Sequence, residues 1–122
     1  MLPAHLLEGP MTEELNIIVM NEQLFDAELE KPGILLVKYW AEWCNPCKTT
    51  VPLLVNIFMH YRGKVRLGTI DVDECHTLVN KQHIISIPVV QLWKDGGFVD
   101  QIVGQTLNFE EDLKKKIDRC LE

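Results

Sequence analysis

Two cysteines with two residues between them, Cys44 and Cys47, are the side chains of this sequence best suited to chemistry. The apolar run Ile34–Trp40 leads directly into them, and a helical pattern follows. We therefore predict that the pair lies where a strand ends and a helix begins. The first turn of a helix has N–H groups without intrahelical partners and a partial positive charge. Both features favour a thiolate at Cys44, the cysteine nearer the helix end, and Pro46 suits that turn. The spacing predicts a redox pair that can close a small disulfide.

The alternative for Cys-x-x-Cys is half of a zinc site, which usually brings a second Cys or His pair at short spacing. Cys75-His76 is adjacent rather than spaced, so we expect no metal. Four cysteines are also too few and too unevenly spaced for a secreted disulfide scaffold. We expect Cys75 to be an inert, half-buried thiol; if it is exposed, glutathionylation or a dimer link stays open. We expect Cys120 to be either structural or a bystander.

Length and composition favour one globular domain. The chain has 122 residues, of which 47% are hydrophobic and 25% charged. The net charge of −6, from 18 acidic and 12 basic residues, argues against a nucleic-acid binder. No apolar run approaches the roughly 18 residues of a membrane span. We predict a flexible N-terminal extension over 1–12, because it contains Pro3, Gly9 and Pro10, and a domain over 13–122. The first residues show no secretion signal, so cytoplasmic is the default location.

The hydrophobic pattern alternates between strands and helices along the whole domain. Gly63 and Gly104 end elements, Lys94-Asp95-Gly96-Gly97 predicts a hairpin turn, and Pro52 should kink the second helix. Asn21 and Asn108 are expected helix caps. The order predicts an α/β fold with a central mixed sheet and helices on both faces. We predict helices over residues 22–30, 45–62, 75–82 and 109–121, and strands over residues 15–20, 34–40, 65–71, 89–93 and 98–103.

At this point the sequence resembles the thioredoxin family over about residues 15–121. The resemblance rests on the segment Trp40-Ala41-Glu42-Trp43-Cys44-x-Pro46-Cys47-Lys48, on Pro52 and on Ile87-Pro88, followed by Lys94-x-Gly96 and Gly104. It implies a thioredoxin-like fold, with a mixed five-stranded β-sheet flanked by four helices. It also implies a cis peptide bond between Ile87 and Pro88, facing the cysteines.

The resemblance further implies a protein-disulfide reductase that contributes to cell redox homeostasis and electron transport. Cys44 would attack a target disulfide and form a mixed disulfide, which Cys47 would then resolve. Disulfide-containing proteins would be the substrates, and an NADPH-dependent flavoprotein thioredoxin reductase would restore the dithiol. The resemblance implies a monomer without a cofactor of its own.

The same resemblance implies a flat apolar surface around the cysteines where substrates dock. We define this docking rim as Trp43, Pro46, Ile87 and Val103-Gly104. Pro88 has no N–H, and a cis bond there would leave the Ile87 backbone free to pair with an extended substrate by strand addition. Trp43, Ile87, Pro88 and Gly104 are therefore the expected substrate-binding residues.

Two residues depart from the family pattern. Asn45 replaces a glycine between the cysteines, and with Pro46 and Pro88 it is expected to tune the reduction potential. Lys38 stands where most thioredoxins carry a buried aspartate beneath Cys47. A charged lysine would favour the Cys47 thiolate and make the protein more oxidising. Complete burial would instead disfavour the charged form, so that a neutral lysine could serve as a base. The alternative is that Lys38 extends its amine to solvent and does little.

Two alternatives to a general reductase stay open at this stage. The chain could be a thioredoxin-fold protein-binding module in which redox turnover is incidental, since a fold does not fix a function. It could also be a dedicated reductant of one partner enzyme, with a tuned potential. The changes at Lys38 and Asn45 fit both alternatives.

Overall fold

The computed structural model describes residues 16–122, and the predicted extension over residues 1–12 lies outside them. The elements follow the predicted order, and most helices end one or two residues earlier than the pattern indicated. In chain order they are β1 (Ile18–Val19), α1 (Glu22–Leu29), β2 (Ile34–Trp40), α2 (Asn45–His60), β3 (Val65–Asp71), α3 (His76–Lys81), β4 (Val89–Lys94), β5 (Gly97–Val103) and α4 (Phe109–Leu121).

The strands form one mixed sheet in the order β1-β3-β2-β4-β5. Strands β1, β3 and β2 are parallel, whereas β4 runs antiparallel to β2 and β5 antiparallel to β4. The parallel strands require crossover connections, which α1 and α2 provide, whereas the antiparallel pair β4–β5 needs only the short turn after Lys94. The prediction of a mixed five-stranded sheet with four helices is confirmed for the described residues.

Strand β2 lies at the centre of the sheet, and each of its seven residues is buried. Its side chains alternate between two apolar clusters. Leu36 and Trp40 share one cluster with α2 and α4, while Val37 and Tyr39 share the other with α1 and α3. Burial on both faces explains why the sequence of this strand shows no alternation of apolar and polar residues. It also means that any polar side chain on β2 lies in the interior.

The ends of the helices test the cap predictions. The Asn21 side chain accepts a hydrogen bond from the Leu24 N–H at 2.9 Å, as predicted for the start of α1. Asn108 is the N-cap of α4, but its side chain makes no capping hydrogen bond, so the prediction was right about position and wrong about the bond. Its carbonyl instead accepts the Asp112 N–H at 2.8 Å. Helix α2 continues through Pro52.

Candidate active site

Cys44 and Cys47 lie at the junction of β2 and α2, as predicted. Cys44 is the N-cap of α2, and Cys47 lies in the first turn. The two are joined by a disulfide with their Cα atoms 5.3 Å apart. The Cys47 N–H donates to Cys44 Sγ at 3.2 Å. A backbone N–H in the first turn of the helix therefore faces the Cys44 sulfur. There it stabilises negative charge on the sulfur once the disulfide opens.

The two halves of the disulfide differ in their access to solvent. Cys44 retains 3% of its accessible surface, whereas Cys47 retains none. Both cysteines are therefore buried in the disulfide form, and the little surface that remains belongs to Cys44.

Trp43, the residue before the disulfide, is two-thirds exposed, at 67%. Its indole Nε1–H donates to Asp73 Oδ2 at 2.9 Å, and the Asp73 N–H donates to Asp71 Oδ1 at 2.9 Å. The loop after β3 thus holds the indole ring beside the disulfide with its face open. The sequence analysis did not predict the contact between Asp73 and Trp43, which are 30 positions apart.

The Ile87–Pro88 peptide bond is cis, as the resemblance implied. The Pro88 carbonyl accepts the Gly104 N–H at 2.7 Å, which ties the prolyl loop to the end of β5. Gly104 has φ +81°, a left-handed conformation that favours glycine. Val103, just before it, is about half-exposed. The predicted rim residues of these two segments are therefore brought together.

Trp43 and Ile87 line one groove of about 410 Å³, together with five residues that the sequence analysis did not single out: Val72, Val79, Ile84, Ile85 and Ser86. The lining is mostly apolar, and Ile85 is almost completely exposed, at 96%. Among residues 16–122 almost nothing covers this side chain, and with the exposed Trp43 it adds apolar surface to the groove. The sequence signal was the pair Ile84-Ile85 between a short helix and the prolyl loop.

Lys38 has no exposed surface, so the alternative in which its amine reaches solvent is wrong. The reason is its place on the central strand, where the cross-strand neighbours Thr69 and Val90 are buried as well. Its Nζ donates to the Cys47 carbonyl at 3.0 Å, and Thr50 Oγ1 donates to the same oxygen at 2.8 Å. The amine therefore lies directly against the residue that carries the inner sulfur.

The two remaining cysteines, Cys75 and Cys120, form no disulfide and are free thiols. Cys75 is half-buried, as expected, with its Sγ 3.8 Å from the Met20 carbonyl. Burial raises the pKa of this thiol, and the carboxylates of Asp71, Glu74 and Glu22 raise it further. Cys120 is also half-buried. Within residues 16–122, no cluster of three or more His, Cys, Asp or Glu is arranged to hold a metal ion.

Across residues 16–122, no helix combines the length and the apolar character that crossing a membrane requires.

The fold and the site together define a dithiol–disulfide oxidoreductase: a mixed sheet delivers a Cys-x-x-Cys disulfide to a helix N-terminus, beside a cis-prolyl loop. The family model described as Thioredoxin matches residues 16–119. The chain belongs to the thioredoxin family, and it is a protein-disulfide reductase that acts by dithiol–disulfide exchange on disulfide-containing proteins.

Known relatives agree with this assignment. The chain is similar to a thioredoxin of Staphylococcus aureus, with 36% identity over 105 residues, which are 86% of this chain and 98% of that protein. It is also similar to a solved structure of Plasmodium falciparum thioredoxin, with a TM-score of 0.73 and 30% identity, covering 84% of this chain and 96% of that chain. The predicted family, fold class and reaction type are confirmed.

Proposed function

We propose that Cys44 is the nucleophile and Cys47 the resolving cysteine of the disulfide exchange. In the reduced protein, the Cys44 thiolate attacks one sulfur of a target disulfide, and the other target sulfur leaves with the bonding electron pair and takes up a proton. Cys47 then loses its proton and attacks Cys44 Sγ. The second target thiolate leaves, and the protein retains the Cys44–Cys47 disulfide. The observation that carries this assignment is the unequal burial of the two cysteines.

The docking rim of Trp43, Pro46, Ile87 and Val103-Gly104 supplies the surface for the target polypeptide in this proposal. The apolar surface around the disulfide is exposed or partly exposed at Trp43, Ile87 and Val103. Pro88 cannot donate a hydrogen bond, so an extended target strand pairs with the Ile87 backbone beside it. Pairing through the backbone accepts many target sequences, which suits a reductase with several substrates.

Three residues next to the sulfurs are assigned a tuning role. Asn45 and Pro46 are exposed between the cysteines, and Pro88 is buried in the loop beside them. Because they define the surroundings of both sulfurs, they affect the relative stability of dithiol and disulfide. A change of about 30 mV in potential corresponds to about 1.4 kcal/mol in that balance.

The catalytic cycle needs an external electron source, because each turnover leaves the protein as a disulfide. We assign the recharging step to an NADPH-dependent flavoprotein thioredoxin reductase, with the chain acting as a monomer in the cytoplasm. The same exposed rim would serve this reductase and the targets in turn.

Reduction of insulin by dithiothreitol, followed by turbidity, tests the proposed roles. Cys44→Ser should abolish catalysis. Cys47→Ser should instead accumulate a stable mixed disulfide with insulin, visible by non-reducing electrophoresis. Cys120→Ser is the matched control and should retain activity, because that thiol is not part of the pair. Trapping of the mixed disulfide through Cys47, in the Cys44→Ser variant, would overturn the assignment.

A dedicated reductant is the second candidate, and the groove beside Trp43 is the observation that favours it. A mostly apolar groove of about 410 Å³ that is lined in part by the exposed Ile85 would favour targets that carry a large apolar side chain near the disulfide. Comparing kcat/KM for a panel of protein disulfides separates the two candidates. Similar values across the panel support a general reductase, whereas one value far above the rest supports a dedicated one.

A further inference from the structure

Trp43 provides a part of the apolar groove that no neighbouring segment supplies. Of the seven residues that line the groove, six lie between Val72 and Ile87, whereas Trp43 comes from the loop before α2. Its side chain is 67% exposed, so packing against the rest of the described chain restrains the ring only in part. The shape of the groove therefore depends on what holds this indole in one orientation.

The carboxylate of Asp73 supplies that restraint. Trp43 Nε1–H donates to Asp73 Oδ2 at 2.9 Å. A hydrogen bond to a carboxylate is stronger than a bond between two neutral groups. Because both residues are exposed, water would satisfy the indole N–H equally well in the absence of the carboxylate. What Asp73 adds is a fixed direction for the ring.

Asp73 can hold the indole because its own loop is attached to the sheet. Asp71 ends β3, and its Oδ1 accepts the Asp73 N–H at 2.9 Å. The Val72 N–H donates to the Trp40 carbonyl at 2.9 Å, which joins this loop to the last residue of β2. The loop thus supplies one lining residue of the groove, Val72, and next to it the acceptor for the indole.

We propose that Asp73 is a positioning residue for target binding, which holds the Trp43 indole in place as one side of the groove before a target arrives. Ordering an exposed side chain during binding costs free energy, and a ring that is already ordered avoids this cost. The targets that gain are those with a large apolar side chain beside the disulfide, because a mostly apolar groove can bury such a group. The inference rests on the proposed docking of target proteins beside the Cys44–Cys47 disulfide.

The substitution Asp73→Ala removes the acceptor, and kcat/KM for insulin should fall about 2- to 10-fold. At about 1.4 kcal/mol for each factor of ten, this is about 0.4 to 1.4 kcal/mol, the cost of ordering one side chain. The loss should appear in KM with kcat unchanged, because the indole contacts the bound target and the transition state alike. Reduction of a small synthetic disulfide, which leaves the groove empty, should proceed at the wild-type rate.

Two further variants separate the hydrogen bond from the negative charge. Asp73→Asn keeps an oxygen that can accept the indole N–H but removes the charge, so it should retain most of the wild-type rate with insulin. Glu74→Ala is the matched control, because it removes a charge from the next exposed position, which does not line the groove, and should leave both substrates unaffected. If Asp73 instead acted through its charge on Cys44, Asp73→Ala and Asp73→Asn would change both substrates equally, and this result would overturn the proposal.

NMR relaxation of the Trp43 indole N–H tests the same restraint in the wild type and does not depend on any variant. Its order parameter should be near about 0.85, the value of a rigid backbone, in the wild type and in Asp73→Asn. In Asp73→Ala it should fall below about 0.6, the range of flexible groups. An indole that is already mobile in the wild type would overturn the proposal, as would an unchanged ratio of insulin to small-disulfide rates in Asp73→Ala.

A failure of this proposal can be distinguished from a failure of the proposed function. If Cys44→Ser abolishes insulin reduction while Asp73→Ala reduces insulin at the wild-type rate, the roles of the cysteines stand and the role of Asp73 falls. If Asp73→Ala slows insulin reduction selectively but the mixed disulfide forms through Cys47, the positioning role stands and the roles of the cysteines are reversed.

Discussion

Ile85 tests whether the groove beside the disulfide binds target proteins. Its side chain is 96% exposed, so it contributes little to the stability of the folded chain. The substitution Ile85→Asp should therefore change the free energy of unfolding by no more than about 0.5 kcal/mol, the usual range for a surface position. Any effect on turnover can then be attributed to binding.

The size of the expected effect follows from what a bound target would cover. A target side chain in the groove would bury Ile85, and complete burial of an isoleucine is worth about 1.5 to 3 kcal/mol. Aspartate loses that contribution and adds a carboxylate whose hydration the target would disrupt. At about 1.4 kcal/mol for each factor of ten, kcat/KM for a protein disulfide should fall about 10- to 100-fold.

Two substrates separate binding from chemistry in this experiment. Insulin reduction should slow by the stated factor, whereas reduction of a small synthetic disulfide, which is too small to fill the groove, should be unchanged. Leu107→Asp is the matched control, because Leu107 is 99% exposed and does not line the groove. An equal loss on both substrates would refute the docking argument, as would an insulin rate equal to that of Leu107→Asp.

Three further predictions concern positions outside the groove. Gly96→Ala should destabilise the fold by about 1 to 3 kcal/mol, because the glycine has φ +82° and an added Cβ would lie 2.5 Å from a backbone carbonyl oxygen. Urea unfolding measures this loss, and an unchanged midpoint would contradict the prediction. Burial raises the pKa of Glu28, but hydrogen bonds and charge from Lys31 and Arg66 outweigh it and hold the pKa below 4.5. The ion pairs of Glu28 therefore stabilise the fold above pH 4.5, and this stabilisation is lost as the pH falls through the lowered pKa of Glu28. The stability gap between wild type and Glu28→Gln should accordingly narrow from about pH 7 to about pH 3, and a constant gap would count against the ion pairs. Cys75, whose pKa is raised by burial, should be alkylated by iodoacetamide more slowly than glutathione at mildly alkaline pH, and equal rates would show that the thiol is open.

The parts of the site that could be predicted from the sequence are those that depend on neighbours along the chain. The apolar run of β2 and the start of α2 fix the position of Cys44 and Cys47, because strand and helix signals meet there. The turn after Lys94 followed from Asp95-Gly96, both of which have positive φ. The cis bond before Pro88 followed only from the family resemblance, since local preference favours trans.

The parts that could not be predicted depend on contacts between distant segments. The burial of Lys38 depends on α2 lying across β2, and a single polar residue in a strand does not reveal what covers it. The groove joins Trp43 to Val79 and Ile85, which are 36 and 42 positions further along the sequence. The hydrogen bond from Trp43 to Asp73 has the same origin, because it links the loops after two neighbouring strands.

We expect Lys38 to affect the reduction potential and Ile85 to affect target binding, and these two effects can be separated by experiment. The reduction potential is a property of the free protein, so a change at Lys38 shifts the equilibrium with every target by the same factor. A groove that binds a target during exchange lowers the barrier in both directions and leaves that equilibrium unchanged. If Lys38→Met alters the potential but leaves the ranking of targets unchanged, the buried amine influences the direction of the exchange. If Ile85→Asp alters the ranking but leaves the potential unchanged, the exposed isoleucine influences which targets are selected.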